Sequence, residues 1–229
     1  MKNKIRIISC RVINPENRMQ ALNAGIRIED YGFLSFHYLD GSAFADTLFS
    51  PEIPLVFTSR HAVMAVSEIL RNQKHNPGDV SAFCIRGITR ETAHEKGFRL
   101  LGEAPDAKSL SAVILKTPFK KVIYPCGNLR RDTLIDQLST NGVETEEILV
   151  YRKTLHNFQI DPPYQGILFF SPSQIDAFRK TNILEDHIPA FCIGETTGTY
   201  LRELGHKNTL IATESRENVL IQQVIHYFN

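Results

Sequence analysis

The 229-residue chain lacks the motifs that mark most common classes of enzyme. It contains neither the G-x-G-x-x-G turn of dinucleotide-binding domains nor the G-x-x-x-x-G-K-[ST] phosphate loop, so a nucleotide cofactor has no fingerprint here. The nucleophile elbow G-x-S-x-G and the zinc motif H-E-x-x-H are also missing. The formal net charge is only +1, so no global field favours nucleic acid or an anionic membrane.

Long apolar runs and paired cysteines are equally scarce. No stretch approaches the roughly 20 apolar residues of a membrane span, and the basic start lacks the apolar core and cleavage site of a signal peptide. We therefore expect a first strand at the start and a cytoplasmic protein. The four cysteines form no C-x-x-C pair and lie in or beside apolar runs, which predicts buried thiols and no metal site. They are Cys10, Cys84, Cys126 and Cys192.

What the chain does contain is a repeated pattern. The stretch FTSRHAV at 57–63 returns as FFSPSQI at 169–175, at an offset of 112 residues, and Thr89 returns as Thr197 at an offset of 108. Two motifs in the same order at nearly the same offset predict a duplicated α/β unit. Two similar lobes are expected to enclose a cleft, where ligands preferentially bind.

Short apolar runs alternate with amphipathic stretches along the chain. The candidate strands are 5–12, 55–57, 80–85, 121–124, 148–151, 167–170 and 190–193. Helical periodicity lies between them, for example at Ala62, Val66 and Ile69. This alternation predicts two similar α/β domains of the Rossmann-like kind, each with a parallel sheet.

Two extended stretches, 33–39 and 147–155, break the alternation and are not flanked by the same kind of helix. We interpret them as connectors, with one domain inserted into the other. The expected parts are a discontinuous domain of 1–34 plus 155–229, an inserted domain of 41–147, and connector strands at 35–40 and 148–154.

Ser and Thr residues open the helices that follow two of the predicted strands. Thr58 and Ser59 follow one strand, and Ser171 and Ser173 follow the other. These residue types are favoured helix N-caps, so simple capping is one interpretation. The other is anion binding, because the free amides of a helix N-terminus bind carboxylates or phosphates at the carboxyl ends of parallel strands. Both interpretations stay open at this point.

A second strand-to-helix turn reads G-x-x-T. Gly194 lets the backbone come close to a ligand, while Thr196 and Thr197 offer hydroxyl and amide donors. In the first copy Arg86 stands in place of Gly194 and Thr89 in place of Thr197, so we expect the two copies to differ there.

Basic residues cluster near these turns, and guanidinium groups pair with carboxylates bidentately. Ordinary surface charge explains about half of such arginines. The cluster comprises Arg11, Arg60, Arg86, Arg90 and the pair Arg130 and Arg131.

Together these segments resemble the uroporphyrinogen-III synthase family over nearly the whole chain. The resemblance rests on FTSRHAV, YPCGNLRRDTLIDQL, ILVYRKT, FFSPSQIDAF and IGETTGTYLRELG, with Arg11 after the first strand. It implies two α/β domains joined by a two-stranded connector. It also implies a hydro-lyase of haem biosynthesis that cyclises hydroxymethylbilane, a linear tetrapyrrole polycarboxylate, with inversion of ring D. The resemblance implies no metal, cofactor, nucleic acid or membrane. It does imply transient contact with the preceding enzyme of the pathway.

The resemblance also assigns roles to residues. Tyr151, in the second connector, matches the general acid that protonates the leaving hydroxyl group, although an aromatic filling a strand position is the plain alternative. Ser171, Ser173, Thr196 and Thr197 match positions that hold substrate carboxylates. The other candidate binding residues are Arg11, Thr58, Ser59, Arg60, Thr89 and Gly194.

Two other functional classes remain open from the sequence. One is a non-catalytic two-lobe binding protein for a polycarboxylate or sugar phosphate, although such proteins usually carry a signal peptide. The other is a sugar-phosphate enzyme of similar architecture, which usually has a clear acid–base pair.

Overall fold

A computed structural model of the chain describes residues 5–129 and 133–229. The chain divides into two compact units. The discontinuous unit comprises Met1–Ser35 and Thr154–Asn229, and the inserted unit comprises Phe36–Lys153. The predicted arginine pair at 130 and 131 lies outside the described residues. Within the described ranges, no helix has the length and apolar character needed to cross a membrane.

Strands and helices alternate along most of the described chain. In order, the strands are β1 Ile5–Ser9, β2 Ile26–Asp30, β3 Leu34–Tyr38, β4 Leu55–Phe57, β5 Ser81–Ile85, β6 Arg99–Ala104, β7 Lys121–Gly127, β8 Glu144–Leu155, β9 Gly166–Phe169, β10 Ala190–Cys192 and β11 Thr209–Ile211. The α-helices are α1 Pro15–Asn23, α2 Ala45–Leu48, α3 Arg60–Asn72, α4 Ile88–Glu95, α5 Ala107–Ile114, α6 Thr133–Thr140, α7 Pro172–Arg179, α8 Glu195–Glu203 and α9 Glu217–Phe228. Two 3₁₀ turns occupy Ser42–Phe44 and Pro77–Asp79.

The discontinuous unit is built on a parallel sheet in the order β11-β10-β9-β1-β2. Side chains of successive strand residues point to opposite faces, so Ile8 and Phe169 enter one core while Ile7 and Leu168 enter the other. Helices α7 and α8 cover the first face, and α1 and α9 cover the second. Both faces are therefore covered, as is usual for a parallel sheet.

The inserted unit has a sheet in the order β3-β8-β7-β4-β5-β6, in which the pairs from β8 to β6 are parallel. Helices α3 and α4 pack on one face, and α5 and α6 on the other. Strand β3 lies beside β8, and each of these two strands contains a boundary between the units. The predicted α/β class with two mostly parallel sheets is confirmed.

Part of the repeated pattern reflects helix termination. Gly97 follows α4 with φ +85°, and Gly205 follows α8 with φ +91°. This left-handed region costs glycine little and other residues more, so both helices end at equivalent glycines. The four cysteines are free and buried, as predicted.

Candidate functional site

The inserted unit has a topological switch point between β4 and β7. From β4 the chain continues to β5 on one side of the sheet, whereas from β7 it continues to β8 on the other side. Ligands of open α/β sheets bind outside the carboxyl ends of strands at such points. Thr58 and Ser59 directly follow β4, and Gly127 ends β7.

Ser59 makes two interactions at this switch point. Its Oγ accepts a hydrogen bond from the His61 N–H at 3.2 Å, which caps α3. The same oxygen accepts a hydrogen bond from the Tyr151 hydroxyl, also at 3.2 Å. Next to it, the hydroxyls of Thr58 and Tyr124 are hydrogen-bonded at 2.8 Å, which ties the β4 turn to β7. Ser59 is therefore a helix cap and also a partner of the predicted acid.

Tyr151 is buried, with 8% of its surface exposed. Burial raises the pKa of its phenol, and the hydrogen bond with Ser59 opposes that effect without cancelling it. The phenol therefore keeps its proton at neutral pH. A phenol that keeps its proton can donate it to a group within hydrogen-bond reach.

Aromatic side chains surround Tyr151. Phe36 and His61 stack with ring centroids 3.6 Å apart and planes at 8°. The ring of Tyr151 lies 5.8 Å from that of His61 and 6.1 Å from that of Phe36. The Tyr38 hydroxyl is hydrogen-bonded to His61 Nδ1 at 3.1 Å. Burial first, and then the charges of Arg60 and Lys153, lower the pKa of His61 to about 4, so its imidazole is neutral near pH 7.

Sequence reasoning missed these aromatic neighbours of Tyr151. A signal was present. Phe36 and Tyr38 are two residues apart in a connector strand, so the period of two puts both on the face of β3 that meets His61.

The second turn of the inserted unit differs from its prediction. The residue that caps α4 is Gly87, and the residue that caps α8 is Gly194, so both helices begin after a glycine. The pairing of Arg86 with Gly194 was wrong by one position. Thr89 is buried within α4, and Arg86 pairs with Glu103 at 3.1 Å. Because Thr89 is only 3% exposed, its side chain is not accessible to a ligand at the carboxyl ends of the strands.

The discontinuous unit has its own switch point, between β1 and β9. Arg11 follows β1 and Ser171 follows β9. The Arg11 guanidinium lies 3.9 Å over the ring of Phe170, and its Nη2 pairs with Glu217 Oε2 at 2.5 Å. Among the described residues, Arg11 Nε and Ser171 Oγ are buried without a hydrogen-bond partner. These two donors lie at the turns after adjacent strands.

The other predicted residues of this unit differ in accessibility. Thr196 is exposed in the first turn of α8, and Ser173 is half-buried in the first turn of α7. Thr197 is buried, and its N–H donates to the Gly194 carbonyl at 3.1 Å. A Cβ on Gly194 would lie 2.5 Å from Ser215 Oγ, so this glycine makes room for Ser215. Arg60 is exposed at the first position of α3.

A cavity of about 490 Å³ in the discontinuous unit lies elsewhere. Its lining comes from the segments that precede β9 and β10, including Tyr164 and Ile188. Those segments are at the amino ends of the strands, whereas Arg11 and Ser171 are at the carboxyl ends. The lining contains none of the predicted site residues.

Comparisons with known proteins agree on one family. A family model described as uroporphyrinogen-III synthase HemD matches residues 53–222, more than half of the chain. A crystal structure of a mutant uroporphyrinogen III synthase from the extremely thermophilic bacterium Thermus thermophilus has a TM-score of 0.72 at 13% identity, with 98% of each chain covered. Uroporphyrinogen-III synthetase from Helicobacter pylori has a TM-score of 0.64 at 20% identity, covering 97% of this chain and 99% of that one. At these identities the structural likeness establishes the fold.

Proposed function

Because the chain belongs to the uroporphyrinogen-III synthase family, we propose that it converts hydroxymethylbilane into uroporphyrinogen III, with inversion of ring D, as a cyclising hydro-lyase. The observation that carries the proposal for this chain is the buried hydroxyl of Tyr151. That hydroxyl is held on Ser59 at the switch point between β4 and β7. Ser59 follows the carboxyl end of β4, and Tyr151 lies on β8 opposite Gly127, which ends β7. Both residues are therefore at the carboxyl side of the parallel strands, where ligands of α/β sheets bind.

In the first step Tyr151 acts as the acid. The C–O bond of the hydroxymethyl group on ring A breaks, and the oxygen leaves as water with the proton of the Tyr151 hydroxyl. The electron pair for the new double bond comes from the ring A nitrogen, which keeps its proton, so the product is an N-protonated azafulvene that carries the positive charge opposite the phenolate. Rotation of the Ser59 hydroxyl then lets it donate a hydrogen bond to the phenolate, which stabilises the charge that the step creates.

The later steps return the proton. Ring D attacks the azafulvene methylene through its substituted α-carbon, forming a C–C bond and a spiro intermediate. The older C–C bond from that carbon to its bridge breaks, and the bridge recloses on the free α-carbon of ring D. That carbon loses its proton to the phenolate of Tyr151. Atoms and charge balance, and no metal or cofactor takes part in any of these steps.

We assign the substrate carboxylates to the turns after β9 and β10. Ser171 is the N-cap of α7, and Ser173 and Thr196 lie in the first turns of α7 and α8, where helix dipoles favour anions. The unpartnered Ser171 Oγ and Arg11 Nε support this assignment, because a buried donor without an acceptor costs about 1–3 kcal/mol. A carboxylate that accepts from Ser171 removes that cost. Thr197 offers less to a carboxylate, because its side chain is buried and its N–H already donates to the Gly194 carbonyl.

The instability of the substrate bears on how it reaches the enzyme. Hydroxymethylbilane closes unaided to the type I isomer, so rapid delivery matters. We expect the chain to act in the cytoplasm and to contact transiently the enzyme that supplies its substrate.

Incubation with freshly prepared hydroxymethylbilane tests the function. The products are oxidised to porphyrins, and the type I and type III isomers are separated by chromatography. We expect type III to dominate with the native chain and type I to dominate with heat-denatured chain or buffer. Type I alone in all three samples contradicts the proposal. If the native chain also binds hydroxymethylbilane under those conditions, it is a non-catalytic binding protein.

A further inference from the structure

The strand pairing beside Tyr151 contains an irregularity. Strands β7 and β8 pair residue by residue from Lys121 with Glu144 to Cys126 with Leu149, but the next pair is Gly127 with Tyr151. Val150 is therefore an extra residue on β8, as in a β-bulge. Val150 and Tyr151 are adjacent in sequence, yet both enter the same hydrophobic core. In a regular strand, Val150 and Tyr151 would point to opposite faces of the sheet. The bulge turns the Tyr151 side chain to the same face as Val150.

Gly127 makes room for the re-aimed ring. A Cβ built on Gly127 would lie 2.5 Å from both Cε2 and Cζ of Tyr151 and 2.9 Å from its hydroxyl oxygen. Ordinary contacts between carbon atoms are about 3.5–4.0 Å long. Any larger residue at 127 therefore forces the phenol ring to move by about 1 Å, away from its position against Ser59.

Asn128 holds the strand on the other side of Tyr151. Its Oδ1 accepts from the N–H of Lys153 at 2.7 Å, and its Nδ2 donates to the carbonyl of the same residue at 3.2 Å. Because β7 ends at Gly127, its backbone no longer pairs with this part of β8. The Asn128 side chain makes two hydrogen bonds to β8 in its place. These two bonds fix the backbone of β8 two residues beyond Tyr151.

We propose that Gly127 and Asn128 are positioning residues, which set the place of the Tyr151 hydroxyl against Ser59 and so the efficiency of ring-D inversion. This inference rests on the proposed function for its catalytic part. Its structural part stands apart from that function, because the position of Tyr151 can be measured without substrate.

The first measurement follows Tyr151 directly. The chain is labelled with ¹³Cζ-tyrosine, and the Tyr151 resonance is assigned by its loss in Tyr151→Phe. We expect Gly127→Ala to shift this resonance and to lower the pKa of Tyr151 towards the ordinary tyrosine value, since the displaced ring is less buried. Asn128→Ala is expected to shift it too, and because Asn128 is exposed this variant tests the inference if Gly127→Ala fails to fold.

A matched control is Gly102→Ala. Gly102 also lies in a strand of the inserted unit, and a Cβ there would meet Val113 Cγ1 at 3.0 Å and Phe83 at 3.3 Å. This variant crowds the core away from Tyr151. We expect it to lose stability while the Tyr151 resonance and the rate of type III formation stay at wild type.

The second measurement is the initial rate of type III formation. A displacement of 1 Å can cost about 100-fold in rate, so we expect Gly127→Ala to lose about 10–100-fold and to release more type I isomer. Asn128→Asp keeps the acceptor for the Lys153 N–H and is expected to retain more activity than Asn128→Ala. In the Tyr151→Phe background, Gly127→Ala should cost little further.

The outcomes separate the two claims. An unshifted Tyr151 resonance in folded Gly127→Ala and in Asn128→Ala overturns the positioning inference. A shifted resonance with the wild-type rate of type III formation supports the structural part of the inference, but it overturns the catalytic part and contradicts the proposed role of Tyr151 as the acid.

Discussion

The Tyr151 hydroxyl and Ser59 Oγ are 3.2 Å apart, although the two residues are separated by 92 positions in the sequence. Ser59 caps α3 with the same oxygen. One serine therefore links the start of a helix at the β4 turn to the predicted acid on β8. The same oxygen therefore serves as the helix cap and as the partner of the Tyr151 hydroxyl.

Ser59→Ala is expected to affect both roles. Loss of an N-cap costs about 1 kcal/mol of folding free energy, and loss of the phenolate's partner should reduce type III formation about 10-fold. Asp106→Ala is the matched control, since Asp106 caps α5 in the same unit by accepting from the Ser109 N–H at 2.7 Å. Similar losses of melting temperature with a loss of activity only in Ser59→Ala are expected. Equal activities in the two variants contradict the second role.

Ser171→Ala is expected to separate binding from folding. Ser171 Oγ has no partner among the described residues, so its removal should leave the free energy of unfolding unchanged or slightly higher. The KM for hydroxymethylbilane should rise about 5–30-fold, which corresponds to about 1–2 kcal/mol. Steady-state kinetics and denaturant titration provide the two values. A large loss of stability with an unchanged KM points to a structural role instead.

His61 is expected to make stability depend on pH. Its folded-state pKa of about 4 is below the ordinary value, so the stability that it contributes is present above the ordinary pKa of 6.5 and is lost as the pH falls towards 4. Between pH 7 and pH 5 the wild type should lose about 1 kcal/mol more than His61→Gln, after allowance for solvent screening. His61→Phe keeps a ring for Phe36 to stack on and should match His61→Gln in slope. Parallel urea titrations at the two pH values with identical losses in all three proteins exclude this role.

Glu217 is expected to contribute through its bonds near Arg11. Burial raises its pKa, but hydrogen bonds from Asn17, the Asn14 N–H and Arg11 together hold it below its usual value. The stability from a lowered carboxyl pKa is present above the ordinary glutamate pKa and lost as the pH falls below it. Glu217→Gln should therefore be destabilised by about 1–3 kcal/mol at pH 7, and the difference should shrink below about pH 4.5. A difference that stays constant down to pH 3 shows that the charge is not responsible.

The sequence predicted the central strands well and the edges poorly. Strand β4 was predicted at its observed bounds, and β10 to within one residue. The three strands that were missed, β2, β6 and β11, all lie at sheet edges. Edge strands are short or carry charged residues, as in IRIED and RLLGEA, so their apolar pattern is weak.

The site was predictable where it depends on local chain order. Ser59 and Ser171 are visible as polar residues between a strand and a helix, which topology then places at switch points. Contacts that depend on strand register were not predictable. The fit of Tyr151 over Gly127 requires the bulge at Val150, and neither periodicity nor a motif signals an extra residue in one strand. Tyr151 itself came from resemblance, and its role stays a prediction.

Tyr151→Phe tests the account most directly. The substitution removes only the hydroxyl, so the melting temperature should stay near that of the wild type while the position of the ring is kept. The measurement is the initial rate of type III uroporphyrinogen formation from fresh hydroxymethylbilane, together with the share of type I isomer. Loss of a general acid costs about 10²–10⁴-fold, so we expect a large fall in rate and a rising share of the unaided type I product. Type III formation at the wild-type rate in the folded variant contradicts the claim that Tyr151 is the acid.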